Sequence, residues 1–226
     1  LDRVQNGDKD QQINYSRTAG TRLVYDKGAL NLTGAFYYQF GKDASHMDLN
    51  AFYGMGQAGY KATENISLKL GYEHLSGTDE TDANNDENNS FTPFYGTNHK
   101  FNGFMDYFYV GNHVNSVGLM DPYLKLRYKK DKFSAGLHTH YFMSAAEVLD
   151  KKAFSETGNR EAMDNGLGTE VDLTLGYKIN PNVTVKAGYS HMFPTETMET
   201  LKGVKTSEVQ NWGWLMIDFK PDFFKL

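Results

Sequence analysis

The residues of this chain best placed to do chemistry come in pairs two positions apart: Lys125-Leu-Arg127, His138-Thr-His140 and Glu170-Val-Asp172. On a strand, positions i and i+2 point to the same face, so each pair presents two ionisable groups to one environment. Arg22, Lys69, Glu73, Lys178, Lys186 and Asp218 join them when the neighbouring runs are read with the same period. Rings of charged side chains set selectivity in pores, and Lys125, Arg127 and Lys186, with His138 and His140 nearby, are candidates for a basic ring. Glu73, Glu170 and Asp172 make the face mixed, and opposing charges on adjacent strands equally serve as structural ladders. His138 and His140 also have the spacing of a metal pair, but no third ligand is identifiable, and an ordinary polar pair gives the same pattern.

A second cluster lies in Thr78-Asp-Glu-Thr-Asp-Ala-Asn-Asn-Asp-Glu-Asn-Asn-Ser90, where Asp82, Asn84 and Asp86 alternate. Hard oxygen donors of this kind suit a structural Ca²⁺. The run lacks the glycine at the sixth position and the closing glutamate of an EF-hand loop, so a solvated loop is the competing reading. Beyond that calcium the sequence calls for no cofactor. Nor does it call for an enzyme. There is no nucleophile elbow, phosphate loop or HExxH phrase, and a barrel-protease rim would have to be assembled from Asp79, His74 and His99.

The elements that position these groups are strands. Leu68-Lys-Leu-Gly-Tyr72, Leu173-Thr-Leu-Gly-Tyr177 and Val183-Thr-Val-Lys-Ala-Gly-Tyr189 repeat one grammar, apolar residues alternating with polar or small ones and ending on tyrosine. Period-two runs between turn signals predict about nine strands, over 12–25, 29–41, 47–61, 65–77, 119–129, 132–146, 168–179, 183–194 and 207–220. In each, one face is aliphatic and aromatic (Leu30, Leu32, Phe36, Tyr38 and Phe40 in the second), and the other carries the charges. Gly71, Gly176 and Gly188, on the charged face, make room for bulky neighbours or wall curvature.

A soluble antiparallel sheet with one wet face gives the same alternation. The connections decide between the two. Asp26-Lys-Gly28, Ala62-Thr-Glu-Asn65, Lys130-Asp131 and Asn180-Pro-Asn182 are tight, whereas links over 42–46, 78–118, 147–167 and 195–206 are longer and polar or glycine-rich. Strict alternation of short and long connections is the asymmetry of outer-membrane barrels, with short turns periplasmic. A mean hydropathy of −0.60 is neutral here, because lumen-facing residues offset lipid-facing ones. Fifteen tyrosines, fifteen phenylalanines and 22 glycines fit many strands with aromatic girdles. The absence of cysteine removes disulfides and thiolate metal sites, and a formal charge of −5 leaves no nucleic-acid footprint.

The fold expected is therefore all-β, an antiparallel up-and-down transmembrane β-barrel in the bacterial outer membrane, with residues 1–226 as a single barrel domain. Topology carried back from the final strand starts the first strand outside, with 1–10 as an extracellular loop. An odd count with an external start points to the C-terminal half of a larger wall. Residues 78–118 form a long extracellular or lumen-folding loop. Its part from Phe91 to Gly111 is too aromatic for a free loop, and folds into the barrel as a constriction or plug or packs on a partner.

Two phrases carry a family resemblance. Phe91-Thr-Pro-Phe-Tyr-Gly-Thr-Asn-His-Lys-Phe-Asn-Gly-Phe-Met-Asp-Tyr-Phe-Tyr-Val-Gly-Asn112, after Leu70-Gly-Tyr-Glu-His-Leu-Ser-Gly77, resembles the alginate-export family of outer-membrane porins, and Trp214-Leu-Met-Ile-Asp-Phe-Lys-Pro-Asp-Phe-Phe224 is similar to that family's closing strand. The resemblance implies a barrel of about eighteen strands and export or diffusion of polar solutes, including anionic polysaccharides. It makes lipid and lipopolysaccharide, the solute, and other outer-membrane or periplasmic proteins the expected partners. The competing function is a non-conducting adaptor barrel that binds partners through its extracellular loops.

Overall fold

The computed structural model of the chain describes residues 14–94, 102–113 and 115–221 and the backbone of 2–4. Eleven strands form one sheet: β1 (Asp2–Val4), β2 (Asn14–Lys27), β3 (Leu30–Lys42), β4 (Asp48–Lys61), β5 (Ile66–Leu75), β6 (Glu87–Asn88), β7 (Leu119–Lys130), β8 (Phe133–Met143), β9 (Gly166–Asn180), β10 (Val183–Pro194) and β11 (Gln210–Phe219). Neighbours in the sheet follow chain order and are antiparallel, except that β6 pairs parallel with the start of β4. Among the described residues β1 borders only β2 and β11 only β10, so the sheet is an open stretch of wall.

All nine expected strands are present, with ends shifted by a few residues. Three features depart from expectation. Residues 2–4, read as loop, pair with Asn14–Ser16. The run 65–77 ends as strand at Leu75, which leaves Asp48 and Leu49 of β4 without a β5 partner and open to β6. The long links also hold two seven-residue helices, α1 (Lys151–Thr157) and α2 (Glu196–Lys202). Asp150 caps α1 by accepting from the N–H groups of Lys152 and Ala153, Thr195 caps α2 through Met198, and Gly158 and Gly203 end the two helices at positive φ.

The register puts the two faces of every strand in line. Leu68 stands between Tyr60 and Leu126, Leu137 between Leu126 and Leu173, and Leu175 between Ala135 and Ala187. An aliphatic band thus runs unbroken across the sheet, edged by Tyr25, Tyr60, Tyr128 and Tyr177 on the short-turn side and by Phe40, Phe52, Tyr72 and Tyr189 on the other. The eight residue steps from Phe52 to Tyr60 cover roughly 26 Å of extended strand, on the scale of the ~25 Å apolar belt of a membrane barrel. Leu70 is 61% exposed and Leu215 75%, values typical of lipid contact and costly in water over so large a patch.

The opposite, inner face buries a core at the long-link end only. Leu49, Ala51, Leu75, Leu119, Phe142, Leu167 and Met192 come from the strands, and Phe91, Phe108 and Met198 from the links. Each of the fully buried large side chains, Leu119, Phe142, Leu167, Met192 and Met198, contributes roughly 1.5–3 kcal/mol. Two inner glycines take large neighbours: a Cβ on Gly71 would stand 2.2 Å from the Tyr123 ring, and one on Gly188 2.4 Å from Trp214.

Candidate functional site

The inner face gathers the ionisable pairs into cross-strand rows. One row reads Lys69, Lys125, His138, Asp172 and Ser190 on β5, β7, β8, β9 and β10. The next reads Gly71, Tyr123, His140, Glu170 and Met192. Beyond it Glu73 lies opposite Asp121. Thus the histidine pair of β8 meets the acidic pair of β9 head on.

The segment between β5 and β7 lies across these rows. Gln39 on β3 holds it at one side, accepting from the Thr92 N–H at 2.9 Å and donating to the Thr92 carbonyl at 2.6 Å. Asn102 donates to Asp121 at 3.0 Å and to Glu73 at 3.4 Å. The Glu170 Oε1 accepts from the backbone N–H groups of Phe104 (2.6 Å) and Met105 (2.9 Å), two bonds that fix the chain directly above β9. Gly103 makes that approach sterically feasible, with φ at 80° and its missing Cβ site 2.4 Å from the Glu170 carboxylate. Phe108 packs on Phe142 with ring centres 4.8 Å apart, and the Tyr107 hydroxyl donates to Gln210 on β11 at 3.0 Å. The segment is therefore anchored to β3, β7, β9 and β11.

Its far end is also buried. The His113 carbonyl accepts from the Ser90 and Ser116 hydroxyls at 2.7 and 3.0 Å. Burial, and then the nearby Lys202 charge, push the His113 imidazole down to about 4. Burial also lowers the Lys202 ammonium, which sits 4.9 Å over the Phe108 ring. Burial, then the Glu170 charge, raise the Tyr107 phenol.

The family model for alginate export matches residues 2–211. The chain belongs to the alginate export family. Among solved structures, a NanC porin matches with a TM-score of 0.46 and 11% identity, over 92% of this chain and 80% of that one. No curated protein matches. As an alginate-export chain it is an outer-membrane β-barrel protein of the porin-like channel class. The apolar band is its lipid face and the ionisable rows lie on its inner face.

The residues expected to line the interior all point inward, but they do not form one ring. Arg22, Lys69 and Arg127 are exposed, Lys125 is half-buried with its ammonium 4.6 Å over the Tyr123 ring, and Lys186 pairs with Asp218 at 3.0 Å. Glu170, Asp172 and His140 are fully buried, and Glu73 and His138 half-buried. Asp172, which the sequence did not connect with the histidine pair, stands opposite it: one potential donor atom each from His138, His140 and Asp172 all lie within 4.8 Å of one another. Asp121 is the residue that sequence reading passed over. Its carboxylate meets His140 Nδ1 at 2.9 and 3.0 Å, and its position on the inner face of β7, two before Tyr123, was the available signal.

The other candidates do not converge. Asp82, Asn84 and Asp86 are exposed, and Asp82 closes a turn by accepting from the Asn84 N–H at 2.8 Å. His74 stacks on Phe52 on the outer face, whereas Asp79 accepts from the Glu147 N–H; His99 lies outside the described residues.

Proposed function

We propose that this chain builds the wall of an outer-membrane channel that passes polar, anionic solutes of the polysaccharide type past a constriction formed by the 76–118 segment. The observation that carries this reading is the segregation of charge on the inner face. The acids Glu73, Asp121, Glu170 and Asp172 sit at the long-link end and are covered or engaged by the inward segment. The cations Arg22, Lys69 and Arg127 lie toward the short turns and are exposed. Asp218 is engaged by Lys186 and Lys220, which leaves Asp26, at the turn end of β2, as the exposed inward acid of the strands among the described residues. A solute on this face meets cations, although the residue count is mixed. Exposed positive charge favours carboxylate-bearing solutes over cations.

The test is conductance of the full-length native protein in planar bilayers, with the reversal potential read under a salt gradient. Stepwise conductance with anion preference is expected, and Lys69→Glu combined with Arg127→Glu should reverse the preference. A barrel closed to ions, or one that prefers cations, sinks the proposal.

A further inference from the structure

We infer that His138, His140 and Asp172 form a binding site for one divalent transition cation of the zinc class, cross-bracing β8 and β9 beneath the inward segment. The three residues face one another in the ladder, with His138 directly opposite Asp172 and His140 one inner position along, opposite Glu170. Two imidazoles and a carboxylate are the donor set that suits zinc, with a fourth position left to water or another oxygen.

Three further observations point to a ligand. First, the donor groups are buried. Both oxygens of Asp172, the His140 Nε2 and the His138 Nδ1 are sealed from solvent and accept from no N–H or hydroxyl group, and Asp172, 0% exposed, stands against the Glu170 carboxyl. Two adjacent buried acids are costly unless a proton or a cation lies between them, and a bound cation meets that cost directly. Second, His140 is oriented as metal-binding histidines are. Its Nδ1 meets the Asp121 carboxylate, which places the proton on Nδ1 and leaves Nε2 as the free base. Asn102 in turn donates to Asp121 at 3.0 Å and steadies it. Third, the neighbouring cation makes no direct bond to Asp172. Lys125 stands across the β7–β8 register from His138, but its ammonium lies over the Tyr123 ring.

The geometry requires little movement. Donors around zinc at bonds of ~2.0–2.2 Å sit roughly 3.3–3.5 Å apart, so the present limit of 4.8 Å closes with a shift of about an ångström. The Glu170 Oε2, buried beside Asp172, is the oxygen in reach of the fourth position. Phe104 roofs the site, its ring centre 5.3 Å from that of His138.

The full-length protein, extracted in detergent and stripped with a chelator, should take up one equivalent of Zn²⁺. Its absorption fine structure should show two imidazoles. His138→Gln and Asp172→Asn should each weaken binding at least tenfold, and Asp121→Asn by about 10–100-fold. His191→Gln, on the outer face, should leave it unchanged. Folding of each variant is read from its heat-modifiable mobility. Zinc bound equally by wild type and the His138→Gln/Asp172→Asn double variant would overturn the site. So would zinc-loaded wild type without imidazole scattering, which needs no variant at all.

Discussion

The two halves of the inner face are built from the same strands but differ in what covers them. Toward the short turns, Lys69, Arg127, Lys129 and Lys178 stand exposed above glycines and small polar residues. Toward the long links, the same strands carry Leu75, Asp121, Phe142, Glu170 and Met192, all buried. Register is continuous from one half to the other, so strand pairing does not account for the difference. The inward segment does. By roofing one half it converts strand-face acids into buried anchors, while the other half's cations stay exposed. Burial thus divides the face: one half holds the segment in place and the other lies open.

The sharpest way to break that contrast is to remove packing where the segment docks. Phe142 is fully buried against Phe108, so Phe142→Ala should destabilise the protein by roughly 3–5 kcal/mol, the transfer loss plus the cavity it leaves. Leu126→Ala on the lipid face should cost less, because lipid chains fill the space and only the transfer part remains. Urea unfolding in lipid vesicles reads both. Equal costs would mean that the long-link core is no better packed than the lipid band.

Next in size is a pH effect confined to the roofed half. His113 has its pKa lowered from 6.5 to about 4, so the unfolded chain binds the proton more readily than the folded one between those values. Stability conferred on the docked segment is therefore complete above about 6.5 and falls as pH drops through that window, by roughly 3 kcal/mol at most. The charged group facing His113 is Lys202, and Lys202→Gln should narrow the window by relieving the lesser cause of the shift. Hydrogen exchange at the amides of Phe104, Met105 and His113 between pH 4 and 7 tests this. Exchange that is flat with pH, or unchanged by His113→Gln, would remove the switch.

What could be read from the sequence follows from which constraints are local. The wall was legible because each strand lies between two different surroundings, and Ile66, Leu68, Leu70 and Tyr72 declare the lipid side by period alone. Tight turns such as Lys130-Asp131 fix the register of β7 against β8 locally. The meeting of His138 with Asp172 was not legible, because β8 and β9 are joined through residues 144–165 and no local rule sets their offset. The helices in the links escaped notice for a different reason. At seven residues each, α1 and α2 are too short to show a helical period, although Asp150 with Gly158 and Thr195 with Gly203 mark their ends.

Smaller in energy but direct in function is the clasp over β9. Gly103→Ala puts a methyl where the Glu170 carboxylate lies and imposes a side chain on a φ of 80°, at a cost of roughly 2 kcal/mol from strain and weakened hydrogen bonds. The wall should stay folded and the segment loosen, so single-channel conductance should rise. A destabilised Gly103→Ala barrel with unchanged conductance would show that the segment braces the wall without narrowing it.

The smallest effect should come from the exposed half. Lys186 is held only by Asp218 at 3.0 Å, with its side chain 40% exposed, and water offers both groups comparable solvation. Lys186→Gln should leave the unfolding midpoint where it was. It also frees Asp218, which keeps Lys220 at 3.4 Å but gains exposure to the interior. The same substitution should therefore weaken anion preference, visible as a reversal potential closer to zero, while stability stays constant. That separation of readouts is what the proposed channel face should give. A stability loss comparable to that of Gly103→Ala would instead place Lys186 among the anchors and erase the boundary between the two halves.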